Sequence, residues 1–281
     1  MGKADLHTHT NASDGDLSPE ELIEKVSKKN LEVIAITDHD TINGYLDAKK
    51  FADEKEIELI TGVEISTVWN EREIHVLAYG FDEENTNFLS LIANQKQARR
   101  KRMKAIVDVL KKEGIDIDYA EVRAESHPGN IGRPHAASVL INKGYVASVS
   151  EAFIRYLSND KIKQIKTEYA VLEDVLSVVH EAGGILSIAH PGPMYSKNEM
   201  INLLKHPFDG IECIHPSHSY KVQKMYLDLA KSRNLLVTGG SDFHGSGKSE
   251  YDPYLGVVTI GMQFVEALKR SARSRKNMIV Q

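Results

Sequence analysis

Histidine and carboxylate residues recur in this chain at spacings that fit metal coordination. His7 and His9 form an H-x-H pair, His39 lies within Asp38-His39-Asp40, and Asp242 and His244 form a D-x-H pair. His75, His190 and His215 stand near the ends of apolar runs. Imidazole and carboxylate donors without thiolate suit Mn, Fe(II) or Zn, with geometry deciding among them. Glu64 adds to the set, because it interrupts the apolar run Ile60-Thr61-Gly62-Val63-Glu64-Ile65, and a buried carboxylate is costly unless it meets a cation. Any one of these histidines taken alone reads as structural or exposed. The joint arrangement is what points to a metal site.

The elements that must position these residues alternate along the chain. Ala4 to His9 reads as a short strand whose alternate side chains share a face, so His7 and His9 point the same way. Ser18-Pro19-Glu20-Glu21 is a helix start with Ser18 as cap, Pro19 at the first position and Glu21 closing a capping box. That helix runs to about Lys29. A buried strand over Val33 to Thr37 and a helix over residues 44–55 follow, then strands over Ile57 to Ser66 and Glu73 to Gly80. Residues 86–165 read as mostly helical. Alternation resumes with helices 171–182, 197–205 and 219–232 and strands 185–190, 210–215 and 235–241, then a last strand near 255–260, a helix and a basic tail. The pattern predicts an α/β fold, a mostly parallel sheet or barrel, with residues 1–85 and 166–281 as one unit and 86–165 as a helical insertion. In a β/α barrel the strand C-termini converge on one face, which would gather these scattered ligands.

Composition bounds the partners. With 281 residues, 41% apolar and 27% charged, the chain buries a sizeable core and is not intrinsically disordered. Forty acidic against thirty-five basic side chains leave a net charge of −5, so no global field draws in nucleic acid or an anionic membrane, and a polyanionic substrate must be held locally. The single cysteine, Cys213, forms no internal disulfide and fits a reducing compartment. With no signal-like N-terminus and no apolar run near the ~18 residues that span a bilayer, a cytoplasmic protein without membrane contact is expected. The basic run Lys96 to Lys104 and the tail Lys269-Arg270, Arg273 and Arg275-Lys276 have the charge to contact an RNA backbone, but read first as solvated helix faces. Gly245-Ser246-Gly247-Lys248-Ser249 imitates a phosphate loop, yet the required first glycine falls on Asp242, which excludes an ATPase reading.

Six motifs in order, Asp5-Leu6-His7-Thr8-His9, Thr37-Asp38-His39-Asp40, Gly62-Val63-Glu64-Ile65-Ser66, Ile74-His75-Val76-Leu77, Ala189-His190-Pro191-Gly192 and Gly240-Ser241-Asp242-Phe243-His244, resemble the PHP (polymerase and histidinol phosphatase) family of metal-dependent phosphoesterases. The resemblance covers residues 1–80 and 180–260. It implies a distorted seven-stranded β/α barrel with up to three divalent ions (Mn, Fe or Zn) at its C-terminal face. His7, His9, Glu64 and Asp242 would hold the first ion. Glu64 would bridge to a second, completed by His75 and His190, and Asp14, His39 and His244 would hold the third. Without the resemblance, Ser13-Asp14-Gly15-Asp16 reads as an ordinary turn.

The implied chemistry is phosphate-ester hydrolysis, in which clustered ions supply a nucleophile and absorb charge on the phosphoryl oxygens. His215 and Arg133 are the candidate catalytic residues. His215 is placed to protonate the leaving oxygen, bind phosphate or support a ligand. Arg133, in Asn130-Ile131-Gly132-Arg133-Pro134-His135, offers a planar fork for phosphate at a helix start. Arg133, His135 and His218 are the candidate substrate contacts. The chain resembles the subgroup that acts on 3′,5′-nucleotide bisphosphates, some members of which trim short RNAs from the 5′ end, so a phosphorylated nucleotide or short oligonucleotide is the expected partner. A histidinol-phosphate phosphatase and a non-catalytic metal-binding module are the alternatives.

Overall fold

The computed structural model describes residues 3–126, 129–192, 194–245 and 252–279. The first part of the chain contains β1 (Lys3–Thr8), α1 (Pro19–Lys28), β2 (Val33–Ile36), α2 (Asn43–Glu54), β3 (Glu58–Ile60), β4 (Gly62–Trp69) and β5 (Arg72–Tyr79). Helices then follow: α3 (Thr86–Lys112), α4 (Tyr119–Glu125), α5 (Arg133–Asn142), α6 (Val149–Ala152), a π turn over Phe153–Leu157, and α7 (Asn159–Ile162). The last part contains α8 (Leu172–Glu181), β6 (Ile185–Ile188), α9 (Lys197–Leu203), β7 (Gly210–Ile214), α10 (Tyr220–Arg233), β8 (Leu236–Gly239), β9 (Ile260–Gly261) and α11 (Met262–Ile279). No helix among the described residues is long and apolar enough to cross a membrane. The glycine-rich run at 245–249 lies, beyond Gly245, outside the described residues.

Local sequence explains most boundaries. Ser18 Oγ accepts from Glu21 N–H while Glu21 accepts from Ser18 N–H, the reciprocal cap its spacing predicts. Leu22, Ile23 and Val26 then bury one stripe of α1. Asn85 caps α3 by accepting from Phe88 N–H at 3.0 Å. Every residue of β2 is buried, as its continuous apolar run requires of a strand covered on both faces.

The strands form a four-stranded sheet, β3-β2-β1-β9, and a five-stranded sheet, β4-β5-β6-β7-β8. The ladders therefore make two sheets, not one closed ring. Isolated bridges join them at two seams, Thr8 to Phe243 and His39 to Glu64. Three expectations are corrected. The run Ile57 to Ser66 is two strands in different sheets, divided at Thr61. Gly62 permits the crossing, because a Cβ there would lie 2.9 Å from the Ile36 carbonyl oxygen. The second sheet is partly antiparallel, with β5 running against both β4 and β6. The β4–β5 hairpin turns on Asn70 and Glu71, both at positive φ, with Trp69 opposite Arg72. Finally, the strand expected near 255–260 is confined to Ile260–Gly261, antiparallel to β1.

Apolar clusters on the sheets carry the core, around Ile65, Val76, Leu176 and Ile211 and around Leu6, Ile34, Ile36 and Val265. A further cluster lies wholly within residues 103–162, with Ile106, Val122, Leu140 and Leu157 among its members. In the basic tail, Arg270, Arg273 and Lys276 are exposed, as a solvated face requires, while Lys269 and Arg275 are tied down. Arg275 donates to both carboxylate oxygens of Asp209, at 2.9 and 2.6 Å, and Lys269 pairs with Glu58.

Candidate metal centre

The end of β1 projects His7 and His9 to one side, where Glu64 of β4 and Asp242, just past β8, meet them. Glu64 Oε2 lies 3.2 Å from His7 Nε2 and 3.3 Å from His9 Nε2. Asp242 Oδ1 lies 3.3 and 3.2 Å from the same two nitrogens. Four donors around one ion at ordinary ligand distances stand roughly 3.3 Å apart along the edges of a tetrahedron. These separations match that figure, and neither nitrogen of the fully buried His9 makes a hydrogen bond. Nitrogens at 0% exposure that meet carboxylates without hydrogen-bond geometry are costly, and a cation seated between them and the carboxylates would satisfy both.

The other oxygen of Glu64 faces His75 Nδ1 at 2.9 Å and His190 Nε2 at 2.8 Å. Asp14 Oδ1 lies 3.5 Å from His244 Nε2, and Asp14 Oδ2 lies 3.9 Å from His39 Nε2. His39 Nδ1 in turn sits 3.3 Å from Glu64. Eight of the nine expected ligands thus stand in three overlapping groups that could each hold an ion: His7, His9, Glu64 and Asp242; His39, Glu64 and His75; and His9, Asp14, His39 and His244. His190, expected beside Glu64 and His75, faces Glu64 but belongs to none of these groups. His9 and His39 are each shared more widely than the sequence indicated.

Charge attraction dominates the cluster. Burial pushes the His9 imidazole down, but Asp242 and Glu64 override it and raise it to about 10. His75 is likewise raised to about 9, mainly by Glu64 against burial. Burial would lift Glu64, yet His39, His7 and His75 hold it well below its ordinary range. With no ion, His9 and His75 would carry protons in the place of metal charge, whereas burial holds His39 well below its ordinary range.

Carboxylates behind the ligands fix their orientation. His7 Nδ1–H donates to Glu212 Oε1 at 2.9 Å, which leaves Nε2 as the lone-pair nitrogen facing Glu64 and Asp242. Glu212 Oε2 also accepts from the His190 backbone N–H at 2.6 Å. Asp38 accepts from Thr10 N–H, Thr10 Oγ1 and Ser13 Oγ, and so shapes the loop that carries Asp14. Asp40 accepts from Ser66 N–H and Oγ and from Arg99 Nε. Asp5 accepts from His7 N–H and Ser241 N–H, and its burial raises it to about 6 despite those bonds. At Gly240 the chain passes so close to β1 that a Cβ would lie 2.4 Å from His7 N. Asp40, His190 and Asp242 all adopt positive φ, at 52°, 25° and 50°. For non-glycine residues this is strained, and here it is imposed by hydrogen bonds to neighbouring strands.

A cavity of about 820 Å³ opens over the cluster, with Arg99, Arg102 and Arg133 on its walls. Arg99 is tethered by Asp40 and by Ser66 Oγ at 2.7 Å, and Arg102 pairs with Glu73. Arg133 donates to the Leu157 carbonyl at 3.1 Å and to Asn159 at 2.7 Å, with its guanidinium 5.4 Å from the Phe153 ring. Arg99 and Arg102 belong to the basic run read above as a solvated face, and that reading is corrected for them: both are buried. Their signal was available, since Gln95, Arg99, Arg102 and Ile106 recur at i, i+4, i+7 and i+11 along one helix seam.

His215 lines the cavity, its Nε2 at 3.3 Å from Asp242 Oδ2 and its Nδ1 at 2.8 Å from Ser217 Oγ and 3.1 Å from the Ser217 backbone nitrogen. His135 and His218 do not line it, which departs from the expected substrate contacts. His135 Nδ1 accepts from Gly132 N–H and caps its own helix. His218 donates from Nδ1 to the Cys213 carbonyl and accepts from Gly192 N–H at Nε2, so both ring nitrogens are used in holding backbone.

The PHP domain family matches residues 5–231 of the chain. A 5′-3′ exoribonuclease of Haemophilus influenzae is 38% identical over 247 residues, 86% of this chain and 90% of that protein. A 3′,5′-nucleoside bisphosphate phosphatase of Chromobacterium violaceum is 30% identical over 258 residues, 90% of each. A solved structure from Bifidobacterium adolescentis, designated a metal-dependent phosphoesterase, superposes with a TM-score of 0.86 at 30% identity, covering 95% of this chain and 96% of its own. With the family match running across most of its length, and every member of the histidine and carboxylate groups except Asp242 and His244 lying inside it, the chain belongs to the PHP domain family.

Proposed function

We propose that the protein hydrolyses phosphate esters of small nucleotides, 3′,5′-bisphosphates or AMP-like monoesters, and trims short RNA from a phosphorylated 5′ end. The chain is a metal-dependent phosphoesterase. The observation that carries the substrate reading is the pairing of a metal-competent donor cluster with three arginines in one cavity of about 820 Å³, a volume suited to a nucleotide. His7, His9, Glu64 and Asp242 would hold one divalent ion. Glu64, His75 and His190 would hold a second, and Asp14, His39 and His244 a third. Ions bound there supply a nucleophile at neutral pH and absorb charge on the phosphoryl oxygens.

The chain's own residues do the rest. Arg99, Arg102 and Arg133 present guanidinium groups to phosphate oxygens, and their ties to Asp40, Glu73 and Asn159 hold them extended into the cavity before substrate arrives. As an imidazolium, with Nδ1–H donating to Ser217 Oγ at 2.8 Å, His215 would pass its Nε2 proton to the leaving ester oxygen as the P–O bond breaks and be left as neutral imidazole. Two anionic groups on one nucleotide explain arginines in addition to metal ligands. The bridges at Thr8–Phe243 and His39–Glu64 support a distorted ring of seven strands, β1, β2 and β4 to β8, as the scaffold. The separate apolar cluster within 103–162 supports a helical insertion over residues 86–165, set in a barrel unit of 1–85 and 166–281. A lone buried thiol fits a cytoplasmic location.

The test is phosphate release by Mn-loaded protein from adenosine 3′,5′-bisphosphate, AMP, histidinol phosphate and a 5′-phosphorylated short RNA, side by side. Preference for the bisphosphate or the RNA is expected. Histidinol phosphate as the sole good substrate would overturn the nucleotide assignment.

A further inference from the structure

We infer that the outer face of α3, together with α4, is a docking groove for the phosphate backbone of single-stranded RNA whose 5′ end occupies the cavity. This rests on the phosphoesterase reading above and extends it to a polymeric substrate. Successive helix residues turn by about 100°. Gln95, Arg99, Arg102 and Ile106 therefore share one face, while Gln97, Arg100, Lys101 and Lys104 share the opposite one. The first face is buried and meets the cavity through Arg99 and Arg102. The second, with Tyr119 and Arg123 of α4, lines a separate groove of about 490 Å³.

The charge in that groove is one-sided. Lys101 reaches Glu168 at 2.6 Å, whereas Arg100 and Lys104 are exposed and have no carboxylate partner among the described residues. Lys96, at its flank, is held below its usual range by burial and then by the neighbouring charges of Arg100 and Arg123. Crowded cations repel one another, and a bound polyanion relieves that repulsion. Tyr119 supplies the second half of a single-strand site, a ring face with the Lys104 ammonium 5.2 Å from its centroid, on which a base can stack.

One hydrogen-bonded segment links the groove's wall to the metal centre. Arg123 donates to the Gly129 carbonyl at 2.8 Å. The next residue, Asn130, donates from Nδ2 to the carbonyls of His39 and Asp40 at 2.8 and 2.9 Å. One short segment thus joins the cationic wall to a ligand loop, and only the thickness of a helix, about 10 Å, separates groove from cavity. A strand leaving the cavity would pass around α3 to reach the groove, a span of a few nucleotides.

The test uses the Mn-loaded full chain and its R100E/K104E variant, with a 5′-phosphorylated decaribonucleotide and adenosine 3′,5′-bisphosphate as substrates across a salt series. KM for the decamer should rise roughly tenfold or more. The slope of log kcat/KM against log salt should shrink by about 1.4, at about 0.7 for each phosphate no longer neutralised. Kinetics on the bisphosphate should not change. The neutral pair R100Q/K104Q should show the same selective effect to a smaller degree, which separates removal of positive charge from misfolding. Unchanged decamer kinetics, or equal losses on both substrates in both variants, would overturn the groove. A wild type that hydrolyses the bisphosphate but no RNA would also overturn it while leaving the phosphoesterase standing, whereas turnover of neither would overturn the reading on which it rests.

Discussion

Replacing Glu212 by Gln isolates the contribution of a residue that touches no substrate. Glu212 is fully buried and accepts two hydrogen bonds, from His7 Nδ1–H and from the His190 backbone N–H, at 2.9 and 2.6 Å. Facing His7 holds its carboxyl below the ordinary range although burial alone would raise it. A glutamine has nearly the same shape but only one acceptor oxygen. If that oxygen faces His7, the amide NH2 confronts the His190 N–H, and a buried donor goes unmatched at a cost of about 1–3 kcal/mol. If the amide flips, NH2 faces His7 Nδ1, and the imidazole proton must move to Nε2, the nitrogen that faces Glu64 and Asp242. Either arrangement damages a ligand, one through the strained backbone of His190 and the other through the His7 tautomer. The loss of metal affinity should be about 10–100-fold, the range typical of carboxylates that orient metal-bound histidines. Titrating Mn into metal-free protein by calorimetry reads it directly, with circular dichroism to show a folded chain. Wild-type Mn affinity and turnover in Glu212→Gln would refute the claim that this carboxylate sets the donor nitrogen.

Other perturbations separate the remaining parts of the site. His7→Ala and Glu64→Ala should reduce phosphate release to below about 1% of wild type while the chain stays folded, because the apolar clusters on the sheets carry its stability; unfolding of both variants at room temperature would count against the assignment. Arg133→Ala should raise KM by about 10–100-fold, the equivalent of one charged hydrogen bond, with kcat largely kept, and unchanged steady-state kinetics would remove Arg133 from the cavity's function. His9 and His75, raised to about 10 and about 9, are protonated at pH 7 without metal, so ions must displace protons. Mn affinity should therefore strengthen as pH rises from 7 towards 9, and calorimetry in buffers of different ionisation enthalpy should show proton release; affinity independent of pH would contradict it. The same raised values contribute stability to the metal-free chain below about pH 6.5 that is lost as pH rises through 9 and 10, so its melting temperature should be lower at pH 10 than at pH 7.

What the sequence revealed follows from the range over which each signal acts. His7 and His9 were legible because a strand's period of two is local, and Glu64 because a carboxylate inside an apolar run is conspicuous. The same reasoning applied to Ile211-Glu212-Cys213 would have found Glu212, and applied to the helical seam through Arg99 and Arg102 it would have found the cavity's cations. Asp14 was a turn residue on local grounds and needed the family resemblance. The split at Thr61 was hidden, since an unbroken apolar run does not say which of two sheets it joins. The antiparallel β4–β5 hairpin was hidden too: Asn70-Glu71 places a glutamate at a positive-φ position where glycine is the usual marker.

The least legible feature, backbone strain, is also the one that ties the site together. Asp40, His190 and Asp242 sit at positive φ, and each is pinned from a different strand: Asp40 N–H by the Glu64 carbonyl, His190 N–H by the Glu212 carboxylate, and Asp242 N–H by the His7 carbonyl. Two of the three pins are therefore the backbone of residues whose own side chains belong to the donor cluster. A ligand cannot move without dragging the strand that strains its neighbour, so the cluster is rigid as a unit. That coupling explains how donors drawn from separate strand ends meet within 3.2–3.3 Å of one another around His7 and His9.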